Sequence, residues 1–90
     1  MDKRFHAYYS GSVQGIGFRF VSCDLARTMN ITGWVKNLDD GRVEMVTEGE
    51  EKNLKVFLAR IKENFSQNIQ NSETQWLEAT GEFPSFTVKF

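Results

Sequence analysis

The segment from Gly11 to Arg19 has residue types that suit phosphate binding, and it reads Gly-Ser-Val-Gln-Gly-Ile-Gly-Phe-Arg. Glycine lets the backbone adopt positive φ and lets a ligand approach bare amide groups. The segment precedes a helical pattern that begins at Phe20, and amides at the start of a helix concentrate partial positive charge. Arg19 adds a permanent cation whose forked donors match phosphate oxygens. The segment therefore predicts a cradle for a small phosphorylated ligand.

Two familiar phosphate motifs do not describe this segment. It lacks the Gly-Lys-Ser/Thr of a Walker loop, and the acidic residue and helical unit of a dinucleotide fingerprint do not follow it. Glycines in a tight connection between a strand and a helix can also serve the turn alone. The residues leave both interpretations open, although the arginine and the helix start favour phosphate binding.

Asn37 is the second residue that could take part in chemistry. It lies near the end of a predicted strand, Gly33 to Leu38, where Asn is an uncommon residue. Its simplest role would be to prepare the Asp39-Asp40-Gly41 turn that follows. In the functional interpretation its amide supplies both a donor and an acceptor, which can hold and orient a water molecule.

Composition limits the class of protein. A chain of 90 residues forms one domain, taken as residues 1–90. A net charge of −1 gives no broad attraction to nucleic acid or to a membrane, so any anion site must be local. The lone Cys23 excludes an internal disulfide and suits a reducing compartment. Without an apolar run of membrane-spanning length or a signal-peptide pattern, a cytoplasmic location is expected.

Hydrophobic periodicity predicts alternating strands and helices. The predicted strands cover residues 4–10, 33–38, 42–48, 73–79 and 86–90; the predicted helices cover 20–29 and about 51–65, and a polar loop covers 64–71. The order is βαββαβ with an extra terminal strand. It predicts an α+β, ferredoxin-like sandwich, in which two helices cover one face of a mostly antiparallel sheet of about five strands. Many functions use this fold, so the fold alone does not identify one.

The remaining polar residues are expected to play structural roles. His6 should be an exposed or half-exposed strand residue, and Trp34 and Trp76 should lie in the core or on the sheet surface. One His and one Cys cannot form a transition-metal site, and no cofactor is expected. The acidic group of Glu48, Glu50 and Glu51 is expected to form the solvated start of the second helix.

Three motifs together resemble the acylphosphatase family over essentially the whole chain. They are Gly11 to Arg19, Gly33-Trp-Val-Lys-Asn37 and Asp40-Gly-Arg-Val-Glu44. The family signature most often carries Val where Ile16 stands and a basic residue where Ser12 stands, so this chain has one positive charge fewer near the loop. The resemblance implies hydrolysis of the carboxyl–phosphate bond of an acylphosphate to a carboxylate and inorganic phosphate, without a metal or a covalent intermediate.

The resemblance also implies roles for individual residues. Arg19 would bind the phosphate and Asn37 would position the attacking water. The loop amides would hold the phosphoryl oxygens; they belong to Ser12, Val13, Gln14, Gly15, Ile16, Gly17 and Phe18. The expected partner is a small-molecule acylphosphate, with inorganic phosphate as product, and neither nucleic acid nor membrane. A monomeric, stand-alone enzyme is expected, because the zinc-finger cysteines of larger hydrogenase-maturation proteins do not follow.

Two other functions use the same element order. An RNA-recognition module would carry its aromatic motif on the third strand, but here that strand, Arg42 to Glu48, has no aromatic residue, and the Gly-Phe-Arg-Phe stretch leads into a helix. A catalytically idle ligand-sensing domain remains compatible with the fold. The presence of both Arg19 and Asn37 favours an enzyme.

Overall fold

The computed structural model describes all residues, 1–90, and contains five strands and two helices. In chain order they are β1 (Asp2–Gly11), α1 (Phe18–Thr28), β2 (Thr32–Asn37), β3 (Val43–Glu50), α2 (Glu51–Asn64), β4 (Ile69–Glu78) and β5 (Phe86–Lys89). Neither helix has the length and apolar character needed to cross a bilayer.

The strands form a single sheet in the order β4-β1-β3-β2-β5. The interior strand β1 pairs antiparallel with β3 and with β4, and the central strand β3 also pairs antiparallel with β2. Only β2 and β5 run parallel, so the sheet is mixed. The predicted ferredoxin-like α+β architecture is confirmed, with this one parallel pair as the departure from an antiparallel sheet.

The core lies between one face of the sheet and the two helices. Alternate residues of β1, namely Phe5, Ala7 and Tyr9, point into it and are fully buried. From α2, the apolar stripe contributes Leu54, Phe57 and Ile61 to the same cluster. Because side chains alternate across a strand, the other face of the sheet carries half-exposed polar residues.

Side chains on that second face are held by local contacts. His6 is half-buried, and its Nε2 lies 2.6 Å from a carboxylate oxygen of Glu44. Trp34 shares this face, and Lys89 Nζ lies 4.5 Å from the centre of its ring. By contrast, Trp76 packs edge-on against Phe5 at the helix side and remains 41% exposed.

Most element boundaries differ from the sequence-based prediction by one or two residues, and the start of β4 differs by four. Helix α1 begins at Phe18 rather than at Phe20, and β4 begins at Ile69 within the stretch predicted as a polar loop. The second difference arises from pairing, because β4 follows β1 along its whole length and continues through a register shift to Gly11 opposite Ile69. An edge strand can be polar on its solvent side, so its composition resembles that of a loop.

The prediction that Glu48 is solvated was wrong. Its side chain is only 4% exposed and lies on β3 beside Arg4 of β1. The carboxylate accepts hydrogen bonds from Arg4 Nε at 2.7 Å and from the amides of Thr80 and Gly81 at 2.8 and 2.9 Å. We call these four residues the Glu48 cluster; it ties the chain after β4 to the sheet.

Candidate functional site

The loop between β1 and α1 depends on glycine for its shape. Gly15 and Gly17 have φ values of 78° and 81°, in the left-handed region that other residues rarely adopt. A Cβ atom added at either position would meet nothing within 4 Å. The glycines are therefore required by the backbone conformation, and the space beside them is open to a ligand.

A cavity of about 250 Å³ lies against this loop. It brings together the two residues predicted to be catalytic, Arg19 at the start of α1 and Asn37 at the end of β2. The full lining consists of Val13, Gly15, Gly17, Phe18, Arg19, Phe20 and Asn37. Arg19 is the only charged residue in this set, so the electrostatic character of the cavity is positive.

The first turn of α1 adds to that positive character. The first backbone bond of the helix runs from the Val21 amide to the Gly17 carbonyl, 3.0 Å apart. The amides that precede Val21 in the helix have no acceptor within it. No side chain caps this terminus, and the first turn contains no acidic residue. These amides, which border the cavity, can donate to a bound anion.

Arg19 is free of competing carboxylates. It takes part in none of the six ion pairs of the structure. Its guanidinium carbon lies 5.2 Å from the centre of the Phe90 ring, a cation–π contact that leaves the N–H donors available. The guanidinium can therefore bind a phosphate without first breaking a salt bridge.

Asn37 carries an unpartnered polar atom at this cavity. Its Oδ1 is buried and has no hydrogen-bond partner in the protein. A buried acceptor without a partner costs about 1–3 kcal/mol, so this orientation of the carboxamide is costly unless another group compensates it. The residue also lines the cavity, where its carboxamide can contact a small hydrogen-bonding molecule.

Gln14 links the loop to the strand that carries Asn37. Its Nε2 donates to the carbonyls of Leu38 and Arg42, at 2.7 and 2.9 Å. We call this pair of bonds the Gln14 bridge. It fixes the loop against both sides of the β2–β3 turn and so sets the spacing between the loop and Asn37. Sequence reasoning did not find this role, and its only signal was a long amide among small residues.

Three of the predicted phosphate-binding residues do not line the cavity: Ser12, Gln14 and Ile16. The amide of Ser12 already donates to the Asn68 carbonyl at 3.0 Å, which anchors the beginning of the loop. Ile16 is 37% exposed. The loop residues that line the cavity are Val13, Gly15, Gly17 and Phe18, so most of them lie in the second half of the loop.

The turn after Asn37 is held by its own charges. Asp40 accepts hydrogen bonds from the amide and from Nε of Arg42, at 3.1 and 2.8 Å. The amide first, and then the guanidinium, lower the pKa of Asp40 below its ordinary value. The carboxylate therefore stays ionised, and Asp40 serves the turn as the sequence indicated.

A larger cavity, of about 570 Å³, lies beside β4, α2 and the beginning of β1. Its charged residues are already paired, Lys3 with Glu78 and Lys55 with Glu51. It therefore offers no free cation to a phosphate. The smaller cavity at the loop is the candidate active site.

Comparisons with known proteins identify the family of the chain. The family model described as Acylphosphatase matches residues 5–88 of the chain. An acylphosphatase of Caldanaerobacter subterraneus subsp. tengcongensis is 37% identical over 89 residues, covering 98% of this chain and 99% of the relative.

Solved structures show the same similarity. The acylphosphatase of Bacillus subtilis superposes with a TM-score of 0.88 at 28% identity, covering 98% of this chain and 99% of that one. Full-length HypF, crystallised in a phosphate- and nucleotide-bound form, matches with a TM-score of 0.90 at 30% identity, but this chain covers only 12% of it. By its sequence and its fold, the chain belongs to the acylphosphatase family, hydrolases that act on acylphosphates.

Proposed function

We propose that the chain hydrolyses acylphosphates with Arg19 and the loop amides binding the phosphoryl group and Asn37 orienting the attacking water. One observation carries the proposal: Arg19 and Asn37, from different elements, line the same cavity as the free amides of α1. All of these groups come from one chain, so a monomeric domain suffices for the chemistry.

In this proposal, Arg19 and the loop amides stabilise the negative charge of the transition state. Phosphoryl transfer passes through a loose transition state whose charge is spread over the equatorial oxygens, so it needs positioning and charge stabilisation more than a protein nucleophile. A fixed donor aimed at such charge is worth about 3–4 kcal/mol. The carboxylate of an acylphosphate departs readily, which reduces the assistance that the leaving group needs.

In this proposal, Asn37 positions the attacking water. Its carboxamide lines the cavity, where it hydrogen-bonds the water and holds it in line with the phosphorus–oxygen bond that breaks. Fixing two reacting groups in this geometry lowers the entropic barrier. The cavity lining contains no carboxylate or histidine, and we assign the proton of the water to a phosphoryl oxygen of the substrate.

The test measures hydrolysis of benzoyl phosphate in the presence of EDTA by the parent and by Arg19→Ala and Asn37→Ala. We expect each variant to remain folded by circular dichroism and to lose about 10²–10³-fold in kcat. Arg19→Ala should also weaken inhibition by inorganic phosphate, and Asn37→Ala should do so much less.

Matched controls remove the same groups from exposed positions. Arg60 lies on the exposed side of α2 and Asn71 on the exposed edge strand β4. Arg60→Ala and Asn71→Ala should keep the parent rate. Near-parent rates for both Arg19→Ala and Asn37→Ala would contradict the assignment of the site.

A further inference from the structure

Exposed apolar side chains gather around the candidate active site. Phe20, in the first turn of α1, is 71% exposed, and Phe90, beside Arg19, is 95% exposed. Ile16 in the loop and Val21 on α1 are 37% and 36% exposed. A concentration of exposed apolar surface at a cavity is typical of a binding surface.

Phe20 joins the cavity to a second concave region. It lines the phosphate cavity and also an adjoining groove of about 390 Å³ on the outer side of α1. The groove is lined by Phe20, Val21, Cys23, Asp24 and Arg27. The ring of Phe20 is therefore a wall shared by the two regions.

The ring of Phe20 is also unengaged. It takes part in no aromatic pair and no cation–π contact of the structure, whereas Phe90 already lies against the guanidinium of Arg19. An exposed ring without a partner can stack on a planar apolar group at little cost.

The position of the phosphoryl group determines which part of the substrate contacts the ring of Phe20. When the loop amides and Arg19 hold the phosphoryl group, the acyl group lies against the remaining lining of the cavity, which includes the ring of Phe20. A larger acyl group extends past this ring into the adjoining groove. The adjoining groove holds one carboxylate, Asp24, and one cation, Arg27, so it has no net charge to attract an anionic acyl group, and Asp24 itself would repel one.

We propose that Phe20 and the adjoining groove bind the acyl group of the substrate, and that they select neutral, apolar and preferably aromatic acyl groups. The inference rests on the proposed function, because it requires the phosphoryl group to lie in the loop. It assigns Phe20 as a specificity-determining residue and Asp24 as the residue that disfavours anionic acyl groups.

The test compares three acylphosphates: benzoyl phosphate (aromatic), acetyl phosphate (small and neutral) and succinoyl phosphate (anionic). In Phe20→Ala, KM for benzoyl phosphate should rise about tenfold, as expected for the loss of a buried aromatic contact. The loss on acetyl phosphate should be much smaller, so the ratio of the two kcat/KM values falls. Phe20→Tyr should restore that ratio.

Two further variants sharpen the test. Asp24→Asn should raise kcat/KM for succinoyl phosphate severalfold relative to benzoyl phosphate. Val56, an apolar residue of α2 that is 39% exposed, supplies the matched control, and Val56→Ala should leave all three substrates unaffected. A loss in Phe20→Ala that is equal for benzoyl and acetyl phosphate, or absent for both, would overturn the inference.

Failure of the proposed function gives a different result. It would appear as Arg19→Ala hydrolysing acetyl phosphate at the parent rate. Failure of the inference about Phe20 would leave the effect of Arg19→Ala intact and change only the comparison between substrates.

Discussion

Replacement of Glu48 by Gln is the sharpest test of how the sheet is held together. The substitution keeps the shape of the side chain but removes its charge and turns one acceptor oxygen into an N–H donor. In the Glu48 cluster every neighbour that contacts the carboxylate is a donor, from Arg4 Nε to the amides of Thr80 and Gly81. The variant therefore loses the ion pair with Arg4, and its new N–H group faces N–H groups that also donate.

The expected loss can be estimated from burial. Breaking a buried ion pair by removing one partner costs about 3–5 kcal/mol. Thr80 and Gly81 are exposed, so their amides can bind water instead, and Arg4 keeps a second carboxylate in Glu82. These compensations lower the expected loss to about 2–3 kcal/mol, with most of it arising from the Arg4 guanidinium.

Urea unfolding at pH 7 measures this loss. With an m-value of about 1–1.5 kcal/mol/M for so small a chain, the midpoint of Glu48→Gln should fall by about 2 M. Glu78→Gln is the matched control, because Glu78 pairs with Lys3 but is 83% exposed, and its midpoint should not change measurably. A parent-like midpoint for Glu48→Gln would refute the reasoning.

The pH dependence gives a second readout of the same cluster. Burial alone would raise the pKa of Glu48, but the amides of Thr80 and Gly81 and the Arg4 guanidinium outweigh it and lower that pKa. A folded pKa below the unfolded value stabilises the protein above the unfolded pKa and loses that effect as pH falls through the folded pKa. The stability difference between parent and Glu48→Gln should therefore shrink below pH 4; a constant difference would contradict this cause.

Two predictions concern the loop. Gln14→Met cannot donate the two bonds of the Gln14 bridge and adds no charge beside the phosphate loop, so kcat for benzoyl phosphate should fall about tenfold or more while inhibition by inorganic phosphate changes little, because only the spacing to Asn37 is lost; equal losses in both would assign Gln14 to phosphate binding instead. Gly17→Ala and Gly41→Ala each place a side chain at a positive φ, 81° and 93°, with open space around it. Each variant should lose about 1–2 kcal/mol of unfolding free energy, measured by thermal unfolding. Only Gly17→Ala should reduce activity, because only Gly17 lines the cavity. Full activity in Gly17→Ala would show that the loop tolerates a change of backbone conformation.

The sequence predicted the fold because its elements carry strong local signals. The stripe of α2 and the alternation of Phe5, Ala7 and Tyr9 in β1 lead directly to the buried face of the sheet. Strand β4 was harder to delimit, since its beginning depends on pairing with β1 and its own residues are polar. Local composition does not encode the position of a distant partner strand.

The same distinction applies to the polar residues. Arg19 and Asn37 stand in short motifs with unusual residue types, so a sequence can indicate them. The Glu48 cluster joins residues from β1, β3 and the chain after β4, and nothing near Glu48 in the sequence signals Arg4 or Gly81. Gln14 likewise acts through the carbonyls of Leu38 and Arg42, which are backbone groups without a residue-specific signal.

The interior position of β1 in the sheet has a consequence for the rate of folding. The strand formed by the first residues of the chain is completed by β3 and then by β4, where Lys3 pairs opposite Glu78. Contacts between such distant segments form late, because the loops that connect them must close first, and folds dominated by them fold in milliseconds to seconds. The Ser12 amide donates to the Asn68 carbonyl just before β4, so the shape of the phosphate loop depends on the pairing of β1 with β4.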